Sequence, residues 1–266
     1  MVAIRQKIMN LALFLKPELE ETDIATYLIS KMSEHGFDLD QEEPDVVIFV
    51  GGDGTLLRAV QTYINDLDHI KFVGINEGSL GFFASYTIDE VDELLSDLAS
   101  GSYYSNRHRL LQASFNDKTI YAVNEIRIEN PFHTLISDVR INGQYLETFR
   151  GNGLVISSSY GSSAYNKSLG GAIVFPEMES MQLTEIAPIN NRIYRSLNSS
   201  LVLPIDCLVE FDCKNAEVVV GYDYLTVSTK IDRVEIVASN YSLEIIHKED
   251  YSYIKQLSEG FLDGND

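Results

Sequence analysis

The stretch Val46–Leu57, which reads VVIFVGGDGTLL, constrains this chain more than any other. Five successive apolar residues, most of them β-branched or aromatic, are typical of a strand that is buried on both faces of a parallel sheet. The run ends in three glycines around one carboxylate: Gly51, Gly52, Asp53 and Gly54. Glycines let the backbone approach a ligand closely, and the helix predicted to follow them favours anions at its N-terminal end. Because open α/β sheets bind ligands at the carboxyl ends of their strands, this stretch predicts a phosphate-binding loop.

Asp53 is an unusual residue for such a loop, because a carboxylate repels phosphate. It fits a group that accepts a proton or faces a metal ion during a reaction. The alternative is a solvated aspartate in a tight strand-to-helix turn.

The net charge of −20 argues against nucleic acid or an anionic membrane as a partner, because the long-range field repels polyanions. A nucleotide is also an anion, so a nucleotide site must overcome this field locally. Three basic residues lie beside glycine-rich segments and are suited to do so: Arg58, Arg150 and Lys167. Most of the acidic residues are interpreted as a solubilising surface.

Composition predicts a soluble cytoplasmic protein. No apolar stretch approaches the roughly 20 residues that span a bilayer, and Asn10 interrupts the short apolar run near the N-terminus, which argues against a signal peptide. Two cysteines, Cys207 and Cys213, are too few for a disulfide framework and are interpreted as buried apolar residues. The five histidines show no metal-ligand spacing, so no protein metal site is predicted.

The first hundred residues alternate strands with helices, which predicts βαβ units and a parallel sheet. Strands are expected over 8–15, 46–50 and 72–75, and helices from Pro17 through Met32, from about Thr55 to Asn65 and over 88–99. A second glycine-rich loop follows the third strand at 76–81, with Gly78 and Gly81 around Leu80.

Beyond Gly101 short alternating segments replace the helices, and Asn142-Gly143 is a strong hairpin signal. Further strands are expected over 153–157, 200–203, 208–213, 217–222, 224–229, 233–238 and 242–247. Residues 101–239 are therefore predicted to form an antiparallel β-rich domain of the sandwich type. A ligand shared by the two domains is expected in a cleft.

The Gly-Gly-Asp-Gly run resembles a signature of NAD kinases, of diacylglycerol and sphingosine kinases, and of phosphofructokinases. Three further stretches resemble the bacterial NAD kinases specifically: Ile75–Phe82, Asn124-Glu125, and Arg150–Gly171. The resemblance covers nearly the whole chain. It implies a Rossmann-like α/β domain over 1–100, with residues 240–266 packing back on it, and ATP-dependent phosphorylation of the 2′-hydroxyl of the adenosine ribose of NAD.

In the resemblance, Asp53 matches the proposed general base. The positions implied to contact nucleotide phosphates are Gly51, Gly52, Gly54, Thr55, Arg58 and Gly78. The positions implied to hold the adenosine and pyrophosphate of NAD are Asn124, Glu125, Arg150, Tyr160, Ser163, Ala164, Tyr165, Asn166, Lys167 and Ser168. Ala187 and Tyr194 match positions of a nicotinamide pocket formed partly across a subunit boundary, and Tyr224 matches a late, variable binding position.

Two positions depart from the family pattern. Asn152 stands where the family usually has the Asp of Gly-Asp-Gly, and Ser158-Ser159 stand where it has Thr-Pro. Asn152 keeps the shape of the family residue but loses the negative charge near the nicotinamide end, which is cationic only in oxidised NAD. Asn152 is therefore expected to weaken the preference for NAD over NADH.

The resemblance also implies ATP and NAD as substrates, magnesium that arrives with ATP, and a homotetramer or dimer. Two alternatives remain open on the sequence. One is a lipid kinase that shares Gly-Gly-Asp-Gly, and the other is a dinucleotide sensor without turnover, which the departures at Asn152 and Ser159 leave possible.

Overall fold

The computed structural model describes residues 9–78 and 81–262. Ile8 of the first predicted strand, and Ser79 and Leu80 of the second glycine loop, lie outside the described residues. The chain divides into two compact units. The first contains the described residues through Arg107 and those from Leu243 onward, and the second contains His108–Ser242.

The strands are β1 Asn10–Leu15, β2 Asp38–Leu39, β3 Val46–Val50, β4 Lys71–Asn76, β5 Ala84–Thr87, β6 Tyr104–Phe115, β7 Lys118–Ala122, β8 Glu125–Glu129, β9 Leu135–Ile141, β10 Gln144–Gly151, β11 Gly153–Ser158, β12 Ser180–Ile186, β13 Leu201–Pro204, β14 Val209–Tyr222 and β15 Leu225–His247. The α-helices are α1 Ile24–Glu34, α2 Asp53–Thr62, α3 Val91–Ser100, α4 Tyr165–Ser168 and α5 Tyr253–Phe261. Short 3-10 helices cover Pro17–Leu19, Ile88–Glu90 and Tyr160–Ser163.

The first unit is built on a parallel sheet with the order β2-β1-β3-β4. On the side away from β3, strand β4 pairs with two strands, both in parallel. Glu244–Ile246 of β15 pair with its first residues, and β5 pairs with its last residues. All five residues of β3 are buried, which is why this strand reads as an uninterrupted apolar run. The predicted parallel α/β architecture is confirmed.

The helices of the first unit bury one face against this sheet. Leu28 and Met32 of α1, and Leu94 and Leu98 of α3, belong to the same core as the alternate residues of β3. The helix predicted from Pro17 is wrong in its start. The Thr22 amide and hydroxyl both donate to the Leu19 carbonyl, which closes a turn, so α1 begins only at Ile24.

The C-terminal segment belongs to the first unit, as the predicted fold required. After β15 the Lys248 ammonium contacts Glu90 at 2.9 Å and Glu93 at 3.0 Å, next to α3. The segment then forms α5, whose N-cap Ser252 accepts a hydrogen bond from the Lys255 amide. This helix was not predicted from the sequence.

The second unit is antiparallel and β-rich, as predicted. Its core consists of alternate residues from β6 through β15, so each strand turns one face inward. The predicted hairpin is confirmed: β9 and β10 pair in antiparallel fashion around Asn142 and Gly143, which have φ values of 51° and 75°.

Strand β14 changes its pairing partner along its length. Its first residues pair with β9, and its last residues, from Val219, pair with β8. The change falls at a register shift after Asp212, where Lys214 and Asn215 have φ values of 53° and 60°. Such a bulge bends a strand without ending it, so the two strands predicted over 208–213 and 217–222 are one.

The segments predicted over 224–229, 233–238 and 242–247 form the single strand β15. Cys207 and Cys213 are buried and unpaired, as predicted, although Cys207 precedes β14. Within the described ranges, no helix is both long and apolar enough to cross a membrane.

Candidate active site

The glycine loop after β3 is shaped by Gly51. This residue has φ of 136°, and its amide donates to the Ile75 carbonyl of the neighbouring strand at 2.9 Å. A Cβ on Gly51 would lie 2.6 Å from the Thr55 Oγ1 atom, so a side chain is excluded. Helix α2 begins at Asp53, two residues earlier than predicted, and its N-cap Gly52 supplies no side-chain bond. Asp53 is therefore the first residue of the helix, at the carboxyl end of a parallel strand.

The second glycine loop meets Asp53 directly. The Asp53 carboxylate accepts a hydrogen bond from the Phe83 amide at 3.3 Å and one from the Phe82 amide. Gly81 makes this approach feasible, because a Cβ there would lie 2.6 Å from the Asp53 Oδ1 atom. Burial raises the pKa of Asp53 above its usual range, and the two amide bonds oppose that shift. A carboxylate with a raised pKa is a better proton acceptor near neutral pH.

Other residues near this loop are held by local bonds. The Gly78 amide donates to the Asn76 side chain at 2.7 Å, and Gly78 has φ of 109°. The Lys16 ammonium lies 3.7 Å from the Glu77 carboxylate. The Arg58 guanidinium on α2 is stacked on the Phe14 ring, 5.8 Å from its centroid.

The C-terminal segment packs against the second glycine loop. The Tyr251 hydroxyl donates to the Phe82 carbonyl at 3.2 Å, and the Phe82 ring packs against Tyr253 and Phe261, with centroids 6.0 and 5.4 Å away. Tyr251, Tyr253 and Phe261 therefore support the loop whose amides bind Asp53. This support is not predicted from the sequence, although an amphipathic pattern follows Ser252.

In the second unit, Asn124 and Glu125 lie where β8 begins, and both are buried. Each has one buried oxygen without a hydrogen-bond partner among the described residues, Oδ1 of Asn124 and Oε2 of Glu125. Buried acceptors of this kind are costly unless a ligand satisfies them. These two oxygens are therefore available to accept hydrogen bonds from a ligand.

Asp223, which with Tyr224 matches the late binding position of the family, holds this pair in place, a role that the sequence did not predict. Its carboxylate accepts bonds from the Val123 amide at 2.9 Å and the Asn124 amide at 2.8 Å. Asp223 itself has φ of 47° in the tight turn between β14 and β15. Tyr224, the residue that was predicted from this turn, is exposed.

The acidic groups here have strongly raised pKa values. Burial, and next the neighbouring Asp223, raise the pKa of Glu125 to about 7, while Arg127 opposes the shift. Burial raises the pKa of Asp223 to about 6 despite the backbone amides that favour its charge. The Arg127 guanidinium contacts Glu125 at 3.3 Å and Glu129 at 3.0 Å, and it lies 5.7 Å from the ring centroid of Tyr165.

The serine-rich run packs onto the same position. The Ser158 hydroxyl donates to the Val123 carbonyl at 2.6 Å and accepts from the Gly161 amide at 3.0 Å. A Cβ on Gly161 would lie 2.0 Å from the Asn124 carbonyl oxygen, so only glycine fits. Ser159 donates to the Pro176 carbonyl at 3.2 Å, which secures the loop that lacks the family proline.

The predicted residues that follow are placed differently from one another. Tyr160 is buried, with its ring 4.1 Å from that of His108, and Ser163 bonds to the Tyr160 carbonyl. Asn166 is fully buried and accepts from Thr184 at 2.7 Å, and its amide nitrogen has no partner among the described residues. Ala164 and Tyr165 are half-buried, whereas Lys167 and Ser168 are exposed on α4.

A third group gathers around the end of β10. The Arg150 guanidinium lies over the Tyr194 ring, 4.5 Å from its centroid. A Cβ on Gly151 would lie 2.7 Å from the carbonyl oxygen of Ala187, a residue with φ of 45°. The Asn152 side chain donates to the Asn130 carbonyl at 3.3 Å, a bond that an aspartate could not make.

No group of three or more acidic, histidine or cysteine side chains in the described ranges is arranged to hold a metal ion. The predicted positions therefore form three sets: Asp53 with its glycine loops, Asn124 and Glu125 with the serine-rich run, and Arg150 with Tyr194 and Ala187.

An acidic glycine loop on a parallel α/β unit, joined to a β-rich unit with buried polar acceptors, is the organisation of a nucleotide-dependent kinase. The family model for the ATP-NAD kinase N-terminal domain matches residues 6–103, and that for the ATP-NAD kinase C-terminal domain matches residues 123–248. The chain belongs to the ATP-NAD kinase family, a family of enzymes.

Individual relatives agree with this assignment and confirm the predicted resemblance to bacterial NAD kinases. NAD kinase 1 of Bacillus cereus is 35% identical over 263 residues, covering 96% of this chain and 99% of the relative. NAD kinase 1 of Halalkalibacterium halodurans is 37% identical over 253 residues, covering 90% and 95%.

Solved structures share the fold. Yeast NADH kinase complexed with NADH has a TM-score of 0.84 at 19% identity, covering 98% of this chain and 90% of that chain. An NAD kinase from Archaeoglobus fulgidus in complex with ATP has a TM-score of 0.79 at 21% identity, covering 96% and 100%.

Proposed function

We propose that this enzyme transfers the γ-phosphoryl group of ATP to the 2′-hydroxyl of the adenosine ribose of NAD, which gives NADP and ADP. Family membership supports the reaction class, and relatives that bind NADH and ATP support the two substrates. The observation that carries the proposal is Asp53, a half-buried carboxylate at the start of α2, held by two amides of the second glycine loop.

Asp53 acts as the general base. It takes the proton of the 2′-hydroxyl while that oxygen forms a bond to the γ-phosphorus. The bond from the γ-phosphorus to the β–γ bridging oxygen breaks, and ADP leaves. The raised pKa of Asp53 suits it for this transfer, which contributes on the order of 10²–10⁴-fold in rate. The remaining acceleration comes from alignment and charge neutralisation.

The backbone of Gly51–Thr55 binds the phosphates of ATP. The first turn of α2 carries N–H groups without a side-chain cap, and Gly54 leaves open space beside them. Such N–H groups and the helix dipole attract anions. Arg58 and Gly78 complete the proposed phosphate contacts.

The second unit binds the dinucleotide. The buried Oδ1 of Asn124 accepts from the amino group of adenine, and the buried Oε2 of Glu125 accepts from ribose hydroxyls. Tyr165 stacks on the base, and the neighbouring contacts come from Tyr160, Ser163, Ala164, Asn166, Lys167 and Ser168. Asn152, Ala187 and Tyr194 face the nicotinamide end, and Arg150, whose guanidinium lies over the Tyr194 ring, contacts the pyrophosphate. Tyr224 lies at the edge of the dinucleotide site.

Magnesium is proposed to enter as the chelate of ATP. The described residues do not form a metal cage, and Mg²⁺ is ordinarily held by substrate phosphates with several waters. A homo-oligomer, a tetramer or a dimer, is proposed as the working state, and the two unpaired buried cysteines support a reducing, cytoplasmic compartment.

Isotope transfer tests the proposal against its alternatives. With γ-labelled ATP and NAD, the enzyme is expected to yield labelled NADP, which an NADP-specific dehydrogenase then reduces. A dinucleotide sensor would bind NAD without forming labelled product. Label in diacylglycerol or sphingosine, with none in NAD, would instead identify a lipid kinase.

A further inference from the structure

Two glutamates of the second unit share a buried contact that the proposed chemistry does not use. Glu147 lies on β10 and Glu185 on β12, and their carboxyl groups lie within hydrogen-bonding reach of each other. In each of them the Oε1 atom is buried and has no N–H or O–H donor among the described residues. Two neighbouring carboxyl groups can hydrogen-bond to each other only when one of them carries a proton.

The surroundings favour that proton. Burial, and next the charge of Glu147, raise the pKa of Glu185 to about 7, and burial also raises the pKa of Glu147. The groups that face the pair are the Ser196 hydroxyl and the amides of Leu197 and Asn198. Within the described ranges, no lysine, arginine or histidine forms an ion pair with either glutamate.

The remaining oxygens of the pair hold one segment of chain. The Leu197 amide donates to Glu147 at 2.9 Å, and the Asn198 amide donates to Glu185 at 2.6 Å. Residues 187–200 contain no helix or strand, so few backbone bonds fix them otherwise. Tyr194 lies three residues before Leu197, and its ring packs under the Arg150 guanidinium.

We infer that Glu147 and Glu185 share one proton, and that this acid pair ties the segment carrying Tyr194 to β10 and β12. Both are positioning residues for the dinucleotide site, a role that rests on the proposed function. Neither touches the reacting atoms. The pair holds while the proton is present, and its loss places two adjacent negative charges beneath the segment.

The direction of the expected pH effect is set by these raised pKa values. The folded protein raises the pKa of both carboxyls, so it binds more protons than the unfolded chain between about pH 4.5 and pH 7. The stabilisation is complete below the unfolded pKa and is lost as the pH rises through about 7. The segment is therefore expected to loosen between pH 6 and pH 8.5.

Hydrogen exchange of the amides of Leu197 and Asn198, measured without substrate and corrected for the intrinsic rate, tests the pair directly. In the unchanged enzyme, protection should fall roughly tenfold from pH 6 to pH 8.5. In Glu147→Gln the amide oxygen still accepts from Leu197 and the amide nitrogen donates to Glu185. This variant should keep the protection and lose its pH dependence. Glu177→Gln, at an exposed glutamate of the same unit, is the matched control and should behave like the unchanged enzyme.

Kinetics test the positioning role. Glu147→Ala should raise KM for NAD about tenfold with little change in kcat, because a buried hydrogen-bonded partner is removed. Glu147→Gln should restore KM and abolish its rise between pH 6 and pH 8.5. If Glu147→Ala does not fold, the Glu147→Gln profile alone decides.

Three results would overturn the inference. They are unchanged protection across the pH range, pH dependence that persists in Glu147→Gln, and protection at pH 8.5 that appears only with added Ca²⁺ and disappears with a chelator. The last would mean that a cation, not a proton, joins the carboxylates. Failure of the unchanged enzyme to phosphorylate NAD would refute the proposed function and leave the exchange result standing.

Discussion

The loop at Asp53 and the pocket at Asn124 and Glu125 are built in opposite ways. In the first unit the glycine backbone shapes the loop, and the Asp53 carboxylate is itself bound by two main-chain amides. In the second unit, side chains dominate: Asp223 fixes two amides, Arg127 bridges two glutamates, and buried acceptors remain unsatisfied. Backbone N–H groups suit phosphates, which look alike in every nucleotide, whereas side chains suit a nucleoside that must be recognised.

Because of this difference, the two regions are expected to respond differently to substitutions and to pH. A loop that is built from backbone requires glycine wherever a Cβ would clash, so substitutions of its glycines should disturb it most. A side-chain-built pocket depends on charge and on the partners of each group, so it is sensitive to pH and to isosteric substitution.

The largest effect is expected at the one side chain of the loop on which chemistry depends. Asp53→Asn keeps the size of the residue but removes the proton acceptor, and kcat should fall on the order of 10²–10⁴-fold. Binding of NAD, measured by calorimetry, should stay within about threefold, because the acid acts on the reacting hydroxyl.

The control for Asp53→Asn is Asp66→Asn, at an exposed aspartate beyond α2, which should leave kcat unchanged. A near-normal rate in Asp53→Asn, read through formation of NADPH by an NADP-specific dehydrogenase, would refute the assignment of the base.

A methyl group at Gly81 should have the next largest effect. The added Cβ would lie 2.6 Å from the Asp53 Oδ1 atom, so the loop or the carboxylate must move. A shift of this size near a reacting group costs on the order of 10²-fold, and Gly81→Ala should lose about that factor in kcat.

The double variant Asp53→Asn with Gly81→Ala sharpens this prediction. If the methyl group acts through the carboxylate, the double variant should be no slower than Asp53→Asn alone, since effects through one residue are not additive. Multiplied losses would mean that Gly81 serves the loop in another way.

The two regions also differ in how far sequence alone could describe them. The loop was predictable because a doubly buried strand gives an unbroken apolar run, and glycines after it have few other uses. The contact of Asp53 with Gly81 and with the amides of Phe82 and Phe83 was not predictable. The two loops come close to each other only because β3 and β4 pair in the folded chain. The C-terminal segment that supports Phe82 is also distant in sequence: Tyr251 lies 169 residues after Phe82, and the whole second unit comes between them in the chain.

The pocket in the second unit was less accessible to prediction. Asp223 looks like an ordinary turn residue, and its partners lie 99 and 100 positions away. Strand β12 was not predicted, and its polar residues Gln182 and Thr184 are buried and hydrogen-bonded inside the unit. Gln182 exchanges bonds with the Ala172 backbone at 2.8 and 3.0 Å, for example. Buried polar residues can be read as core only once their partners are known.

The smallest effect is expected at Asn152, which lies with the group around the end of β10 and can be replaced by an isosteric residue. Asn152→Asp introduces a negative charge beside the predicted nicotinamide end, which is cationic in NAD and neutral in NADH. The ratio of kcat/KM for NAD over NADH should rise about threefold, the scale of a partly exposed charge pair. The same substitution replaces the donor that reaches the Asn130 carbonyl, so the variant should also be slightly less stable.

Asn152→Ala separates the two consequences, because it loses the donor without gaining charge. A substrate ratio that is equal in all three forms would reject a role of this position in distinguishing the oxidised dinucleotide, and a ratio that shifts equally in both variants would assign the effect to the lost bond.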